Sequence, residues 1–257
     1  MASFSKVFGK ELVAVDTNGA VVQLYISNSR RHDETPRGSD FWHSDNTYKK
    51  TPAAATALYA LELPPEPGST STMLMDAALA HEALPPALKA RVAQLWAEHV
   101  SNHNAGVSGG TSGGGGHEVE TRQLVATHPV VRRHPETGRG SLFVNPLYTT
   151  RLLDSDGGEV EDSRELLDAV FHHMFGSGAP TAAGEPSVWV EGGLYRAEGR
   201  YSGHFEWQRP GDLLIWDNAR MLHRATTLEG MAADSTRRML RCSVEGTAPT
   251  PMFSTLR

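Results

Sequence analysis

Phe41-Trp42-His43-Ser44-Asp45 is the stretch around which the rest of the chain is organised. It places an imidazole and a carboxylate two residues apart, directly after an aromatic side chain. In an extended strand, residues i and i+2 point to the same side, so His43 and Asp45 would project into the same space. One imidazole and one carboxylate are two of the three ligands in the 2-His-1-carboxylate triad that holds Fe(II). The stretch therefore predicts a metal site if a second histidine joins it. The alternative is an ordinary polar pair beside a strand.

The overall composition is that of an ordinary globular protein. The chain has 257 residues, of which 39% are hydrophobic and 21% charged, and we expect residues 1–257 to form one domain. A net charge of -6 argues against a nucleic-acid-binding surface. The single cysteine, Cys242, excludes an intrachain disulfide framework. No apolar run approaches the ~20 residues of a membrane span, and no signal peptide is evident, so we expect a cytoplasmic protein without membrane contacts.

Short β-rich segments separated by glycine and proline dominate the pattern, which is typical of an antiparallel sandwich or barrel with a few helices outside it. An Asn18-Gly19 pair between two β-rich runs predicts a hairpin. The other predicted strands cover residues 53–63, 130–144, 187–191, 201–208, 213–216 and 238–244. The predicted helices cover residues 76–84, capped by Asp76, residues 87–99, and residues 162–175, opened by a capping box at 162–165.

Residues 104–116 form the one low-complexity segment, a run of glycine and serine with few side chains that can pack. Such a run has high backbone entropy and should be mobile. It is either a surface linker or a lid that becomes ordered when substrate binds.

A second histidine and a basic strand lie near the C-terminal end. His223 follows a buried strand at 213–216 and a turn, a place from which a side chain can point into a cavity. Alternation along residues 237–244 puts Arg237 and Arg241 on the same face. Two arginines so placed are tolerated if each meets an anion, and guanidinium suits carboxylate, sulfonate or phosphate. The alternative for His223 is a structural histidine. The alternative for residues 237–244 is a solvated basic edge strand.

Taken in order, these motifs resemble the Fe(II)/2-oxoglutarate-dependent dioxygenases of the taurine dioxygenase (TauD/TfdA) family. The resemblance runs from about residue 5 to 246. It is carried by Trp42-His43-Ser44-Asp45, Thr51-Pro52-Ala53, Ser71-Thr72, the segment 76–84, Thr127-His128-Pro129-Val130-Val131, Leu142-Phe143-Val144-Asn145, Tyr148-Thr149-Thr150-Arg151, the segment 209–218, His223-Arg224-Ala225 and the segment 237–241.

The resemblance implies a role for particular side chains. The metal-binding and catalytic triad falls on His43, Asp45 and His223. Thr72 and Arg237 would bind the distal carboxylate of 2-oxoglutarate. Thr70 is the alternative to Thr72. The anionic group of the substrate is assigned to Arg241. A further residue, Asn46, is placed in the substrate pocket because it follows the His-x-Asp motif directly.

The same resemblance implies the fold and the reaction. The fold is mainly β with flanking helices, a double-stranded β-helix (jelly roll, cupin-like). Fe(II), 2-oxoglutarate and O2 are the cofactor and co-substrates, a small anionic molecule is hydroxylated or oxidatively cleaved, and succinate and CO2 are released. A homodimer or homotetramer is also implied. Only 42 residues precede His43, which is short for this family. The alternatives are a cupin-type metal-dependent hydrolase or isomerase, and a non-catalytic jelly-roll binding module.

Overall fold

The computed structural model describes residues 41–101, 123–176, 201–226 and 236–253, together with the backbone of five short strands before residue 41. These strands are β1 (Glu11–Leu12), β2 (Ala14–Val15), β3 (Val21–Val22), β4 (Leu24–Ser27) and β5 (Thr35–Pro36). β2 and β3 pair antiparallel, which confirms the predicted hairpin. The Asn18-Gly19 turn, the glycine-rich segment 104–116 and the predicted strand 187–191 lie outside the described residues.

Twelve further strands lie in the remaining described chain. They are β6 (Ala53–Glu62), β7 (Ser71–Asp76), β8 (Trp96–Val100), β9 (Val125–Pro129), β10 (Val131–Arg133), β11 (Gly140–Leu142), β12 (Thr149–Leu153), β13 (Ser202–Glu206), β14 (Leu213–Asp217), β15 (Met221–Ala225), β16 (Arg238–Glu245) and β17 (Thr250–Pro251). The helices are α1 (Ala77–Glu82), α2 (Pro86–Val92) and α3 (Ser163–Phe175). None of these helices has the length and apolarity needed to cross a membrane.

Two sheets enclose the inner core. The larger has the strand order β14-β6-β16-β4-β5, with β1 also on β16, and the smaller has the order β13-β7-β15. All pairings in them are antiparallel except that of β4 with β5. Apolar side chains from both sheets meet between them: Leu58, Ala60, Leu74, Phe205, Trp207, Leu214, Trp216, Met221 and Met239. The mainly β prediction is therefore confirmed.

Strand β7 is buried on both faces, because a second core covers its outer side. Met73 and Met75 are fully buried in that second core, whereas Leu74 packs against the inner one. The second core is completed by side chains from α1 and α3 and from the sheets β12-β8-β9 and β11-β10-β17. Alternation of successive side chains across a strand explains this two-sided packing. The strand is thereby fixed beside the partner strand that carries His223.

The helix predicted over residues 87–99 is wrong in its second half. α2 ends at Val92, and Trp96–Val100 forms β8, which pairs with β9 on one side and β12 on the other. The apolar spacing of Val92, Leu95 and Trp96 satisfies a helical period locally. Pairing on both edges satisfies the backbone groups of β8 as a helix would, and the partners β9 and β12 decide between the two, so the tertiary context overrides the local pattern.

The other two helix predictions are confirmed, with one correction. The Asp76 side chain accepts hydrogen bonds from the backbone N–H groups of Ala78 and Leu79, and so caps α1 as predicted. α3 follows Asp162, but the side chain of Asp162 makes no capping hydrogen bond. Its carboxylate instead accepts a 2.6 Å hydrogen bond from Arg91, so the predicted capping box is absent.

Gly246, just after β16, lies against the start of β6, and its replacement by alanine is expected to destabilise the fold. A Cβ atom there would lie 2.5 Å from the carbonyl oxygen of Pro52, which is backbone and cannot rotate away. We expect a loss of about 1–3 kcal/mol of unfolding free energy, as in other overpacked sites. Thermal unfolding followed by circular dichroism measures it. Gly203→Ala is the matched control because nothing lies within 4 Å of its added Cβ. Equal melting temperatures for the two variants would contradict this expectation.

Candidate metal centre

The two histidines of the predicted triad are brought together by a backbone bridge. His43 N–H donates to the His223 carbonyl at 3.0 Å, and His223 N–H donates to the His43 carbonyl at 2.8 Å. The ring centroids are consequently 4.2 Å apart. His223 lies within β15, whereas His43 makes only this isolated bridge and Asp45 begins a turn. The extended strand considered for 43–45 is therefore not formed as a continuous element, although both side chains do point to the same place.

The three side chains present one donor atom each to a common point. Asp45 Oδ1 lies 3.7 Å from His43 Nε2 and 3.7 Å from His223 Nε2. All three donor atoms lie within 4.8 Å of one another, and all three residues are buried. A separation of 3.7 Å is too long for a hydrogen bond. Ligands that share an ion at about 2.0–2.2 Å lie within about 4.4 Å of each other, so the 3.7 Å separations of Asp45 Oδ1 from the two imidazole nitrogens are compatible with a shared ion.

Hydrogen bonding and burial set the protonation state that a metal needs. His43 Nδ1 lies 2.8 Å from the Phe41 carbonyl, and donation to it leaves the Nε2 lone pair facing Asp45. Burial lowers the pKa of His43 and lowers that of His223 still further, so both rings are neutral at neutral pH. Burial alone would raise the pKa of Asp45, but the positive charge of Arg241 and the hydrogen bond from Thr56 hold it below its usual range. The centre therefore combines two neutral imidazoles with a carboxylate.

The two oxygens of Asp45 have different protein partners. Oδ2 accepts a 2.5 Å hydrogen bond from the hydroxyl of Thr56. Oδ1, the oxygen that faces both histidines, is also in close contact with the guanidinium of Arg241. Burial lowers the pKa of Arg241, but the adjacent carboxylate raises it by more, so this residue is a permanent cation. The side chain predicted to meet the substrate thus lies directly at the triad.

The register of β16 explains the position of Arg241. Arg241 pairs with Leu58 of β6, and Ser243 pairs with Thr56, so these four side chains share the inner face of the sheet. The structure therefore places Arg241 on the inner face of this sheet. Arg237, which immediately precedes β16, is 5% exposed, and burial lowers its pKa to about 10. It remains charged at neutral pH.

Both threonines considered for 2-oxoglutarate are buried near the same strand. Thr72 lies on β7 opposite Ala225, two residues along from Leu74, which pairs with His223. Thr72 therefore shares the face of the sheet that carries His223. Its hydroxyl accepts a 3.1 Å hydrogen bond from the indole of Trp207. The hydroxyl of Thr70 is buried and has no hydrogen-bond partner among the described residues.

The segment after Asp45 forms a turn in which the side chains of Asn46 and Tyr48 are hydrogen-bonded to each other. Asn46 adopts a left-handed conformation with φ of 58°, which asparagine tolerates better than most residues. Its side-chain oxygen accepts a 3.0 Å hydrogen bond from the hydroxyl of Tyr48. The ring of Tyr48 meets Tyr148 edge-on at 5.0 Å, and Tyr148 in turn meets His43 at 6.1 Å. Asn46 and two tyrosines therefore adjoin the triad on this side.

Three residues at the centre have no role in the sequence-based assignment: Thr56, Asn218 and Ser243. Asn218 Nδ2 donates to Thr56 Oγ1 at 2.9 Å, and the Ser243 hydroxyl lies 3.0 Å from the same oxygen. The only sequence signal is that Thr56 interrupts an apolar strand as a buried polar residue, and such residues need partners. Those partners lie far away in the chain, and local pattern does not identify them.

Comparison with known proteins places this geometry in context. Residues 2–175 and 193–243 match the family described as "Taurine catabolism dioxygenase TauD, TfdA family". The chain is 30% identical over 198 residues to the (S)-phenoxypropionate/alpha-ketoglutarate-dioxygenase of Sphingobium herbicidovorans, covering 74% of this chain and 58% of that protein. It is 27% identical over 190 residues to the pentalenolactone F synthase of Streptomyces arenae, covering 71% and 54%. The chain thus spans about half the length of the curated relatives it matches.

Solved structures share the fold. A taurine dioxygenase from Burkholderia xenovorans superimposes with a TM-score of 0.66 at 24% sequence identity, over 97% of this chain and 73% of that one. The jelly-roll prediction is confirmed by this similarity and by the two facing sheets.

Proposed function

The chain belongs to the Taurine catabolism dioxygenase TauD, TfdA family, and on this basis we propose that it is an Fe(II)- and 2-oxoglutarate-dependent dioxygenase of a small anionic substrate. The observation that carries the proposal is the convergence of His43, Asp45 and His223. Their donor atoms face one another within 4.8 Å in a buried site. The donor set of two imidazoles and one carboxylate is the one that suits non-haem Fe(II).

His43 Nε2, His223 Nε2 and Asp45 Oδ1 would hold the metal. When bound, Fe(II) would supply the place where 2-oxoglutarate and O2 meet, with succinate and CO2 as products. The protein prepares this place beforehand: the Phe41 carbonyl orients the ring of His43, and the Trp216 ring packs against His223 with centroids 4.4 Å apart. Burial of all three ligands keeps bulk water away from them.

Arg237 and Thr72 would bind the distal carboxylate of 2-oxoglutarate. Arg237 is 5% exposed and remains charged at neutral pH, and a guanidinium matches the two oxygens of a carboxylate with paired hydrogen bonds. Thr72 lies on the same inner face as His223 and offers a hydroxyl. The two groups would therefore orient the co-substrate by one charge and one hydrogen bond.

Arg241 and Asn46 would bind the organic substrate, with Arg241 contacting its anionic group. The guanidinium already lies at Oδ1 of Asp45, so an anion held by it would be beside the metal. The relative from Sphingobium herbicidovorans is named for (S)-phenoxypropionate, which is a carboxylate and agrees with this assignment. The substrate class we propose is a small organic carboxylate or sulfonate.

The proposal is tested by succinate release from 2-oxoglutarate in the presence of Fe(II), O2 and a panel of small carboxylates and sulfonates. We expect at least one of them to raise succinate release above the uncoupled rate. Release should stop when O2 is removed or when Fe(II) is chelated. A product that forms from a panel member without 2-oxoglutarate or O2 would instead indicate a metal-dependent hydrolase or isomerase.

Replacement of Arg241 by glutamine is expected to weaken substrate binding selectively. A hydrogen bond to a charged partner contributes about 1.5–3 kcal/mol, so we expect the substrate KM to rise by about 10–100-fold while that of 2-oxoglutarate changes little. Steady-state succinate release at varied concentrations of each compound measures both constants. Arg238→Gln is the matched control, since Arg238 lies on the same strand and pairs with Glu62 at 3.9 Å. A larger effect on 2-oxoglutarate would reverse the roles assigned to the two arginines.

A further inference from the structure

Protein groups hold both oxygens of Asp45: the guanidinium of Arg241 contacts Oδ1, and a buried hydrogen-bond network centred on Thr56 holds Oδ2. Oδ2 accepts from Thr56 at 2.5 Å, and Oδ1 is the oxygen that faces the histidines. Thr56, Asn218 and Ser243 are all buried, and Thr56 and Asn218 are each only 1% exposed. Hydrogen bonds in such surroundings are stronger than in water, and unmade ones are costly.

The direction of each hydrogen bond follows from groups that can only donate or only accept. The Trp216 indole donates to Asn218 Oδ1 at 3.1 Å, and the Asp45 backbone N–H donates to the same oxygen at 3.3 Å. The amide nitrogen of Asn218 is therefore the atom that faces Thr56, and it donates to Thr56 Oγ1 at 2.9 Å. Because the ionised carboxylate only accepts, the single proton of the Thr56 hydroxyl points to Asp45 Oδ2.

The strand order fixes this network in place. Thr56 on β6 pairs with Trp216 of β14 on one side and with Ser243 of β16 on the other. The Ser243 hydroxyl lies 3.0 Å from Thr56 Oγ1 and can donate to its remaining lone pair. Because Thr56 Oγ1 accepts hydrogen bonds from Asn218 and Ser243, its own proton is donated to Asp45. The two neighbouring strands therefore fix the direction of this hydrogen bond.

We propose that Thr56 is a positioning residue that reserves Asp45 Oδ2 and so presents Oδ1 alone to the metal. The inference rests on the metal-binding part of the proposed function. If Oδ2 were free, the carboxylate could turn and offer both oxygens to the ion, and one position around the metal would be lost to exogenous ligands. Thr56 acts through Asp45 and does not itself contact the metal or the substrate.

The test compares Mn(II) binding by wild type and Thr56→Val, measured by isothermal titration calorimetry. Valine keeps the shape of threonine and removes the hydroxyl. We expect Mn(II) affinity to fall about 10–100-fold, as when other residues that orient metal ligands are removed. Thr56→Ser, which keeps the hydroxyl, should restore most of the affinity. Thr47→Val is the matched control, because Thr47 is also fully buried and its hydroxyl accepts from Asn145 Nδ2 at 3.3 Å.

A spectroscopic measurement separates positioning from loss of structure. The visible absorption of bound Co(II) depends on the number and arrangement of its ligands, so its spectrum should change in Thr56→Val and match wild type in Thr56→Ser. If Thr56→Val does not fold, Thr56→Ala takes its place with the same expected results. Wild-type affinity together with an unchanged Co(II) spectrum in the valine or alanine variant would overturn the role of Thr56. An equal loss in Thr47→Val would also overturn it. Absence of metal binding by the wild type would overturn the proposed function as well.

Discussion

Replacement of Asp45 by alanine is expected to abolish both metal binding and 2-oxoglutarate turnover. The variant removes one of the three donor atoms that face one another in the buried centre. Because loss of residues that merely orient metal ligands already costs about 10–100-fold in affinity, we expect loss of the ligand itself to exceed about 100-fold. Mn(II) titration and 2-oxoglutarate-dependent succinate release measure the two effects. Mn(II) affinity close to that of wild type would exclude Asp45 as a ligand.

The same substitution should also destabilise the metal-free protein. Arg241 pairs with Asp45 and is only partly exposed, so alanine leaves this guanidinium without its carboxylate. The pKa of Asp45 is depressed in the folded state, so the stabilisation is fully present at neutral pH and is lost as the pH falls through that low value. We therefore expect the melting temperatures of metal-free wild type and Asp45→Ala to differ at pH 7 and to converge in strong acid. Asp154→Ala, at an exposed turn, is the control for a carboxylate unrelated to the centre.

Replacement of Arg237 by glutamine is expected to produce the second large effect, a loss of affinity for 2-oxoglutarate. Removing a charge-assisted hydrogen bond costs about 1.5–3 kcal/mol, which corresponds to a KM about 10–100-fold higher. Because Arg237 is buried, its charge is poorly screened, and we expect the loss of binding free energy to lie at the upper end of this range. The KM for 2-oxoglutarate from succinate release, at saturating substrate, measures the effect.

Two further variants sharpen this second prediction. Arg237→Lys should recover only part of the affinity, because an ammonium cannot make the paired hydrogen bonds of a guanidinium with a carboxylate. Arg238→Gln, on the adjacent residue, should leave the KM for 2-oxoglutarate within about twofold of wild type, as expected for a partly exposed ion pair of small energetic worth. A similar increase in both glutamine variants would show that the effect comes from disturbing the strand.

Regular patterns of the chain allowed much of the fold to be predicted. β6, β14 and β16 appear where apolar runs and turn residues placed them, and the Asp76 cap was identified from its position alone. These features depend on neighbours within a few residues. The strand Trp96–Val100 was missed because its pairing partners are distant in sequence, and the capping box failed because Asp162 pairs with Arg91 from another helix.

By itself the sequence determined which residue types are available for the centre. The His43-x-Asp45 motif, His223 and the alternation of arginines before residue 242 follow from composition and spacing, and their order indicates the family. Only the tertiary structure decided how these groups meet. The bridge between His43 and His223 and the pairing of β6 with β16 bring Arg241 and Thr56 to opposite oxygens of Asp45. The physical reason is that strand register is set by long-range hydrogen bonding, which a local pattern of side chains does not encode.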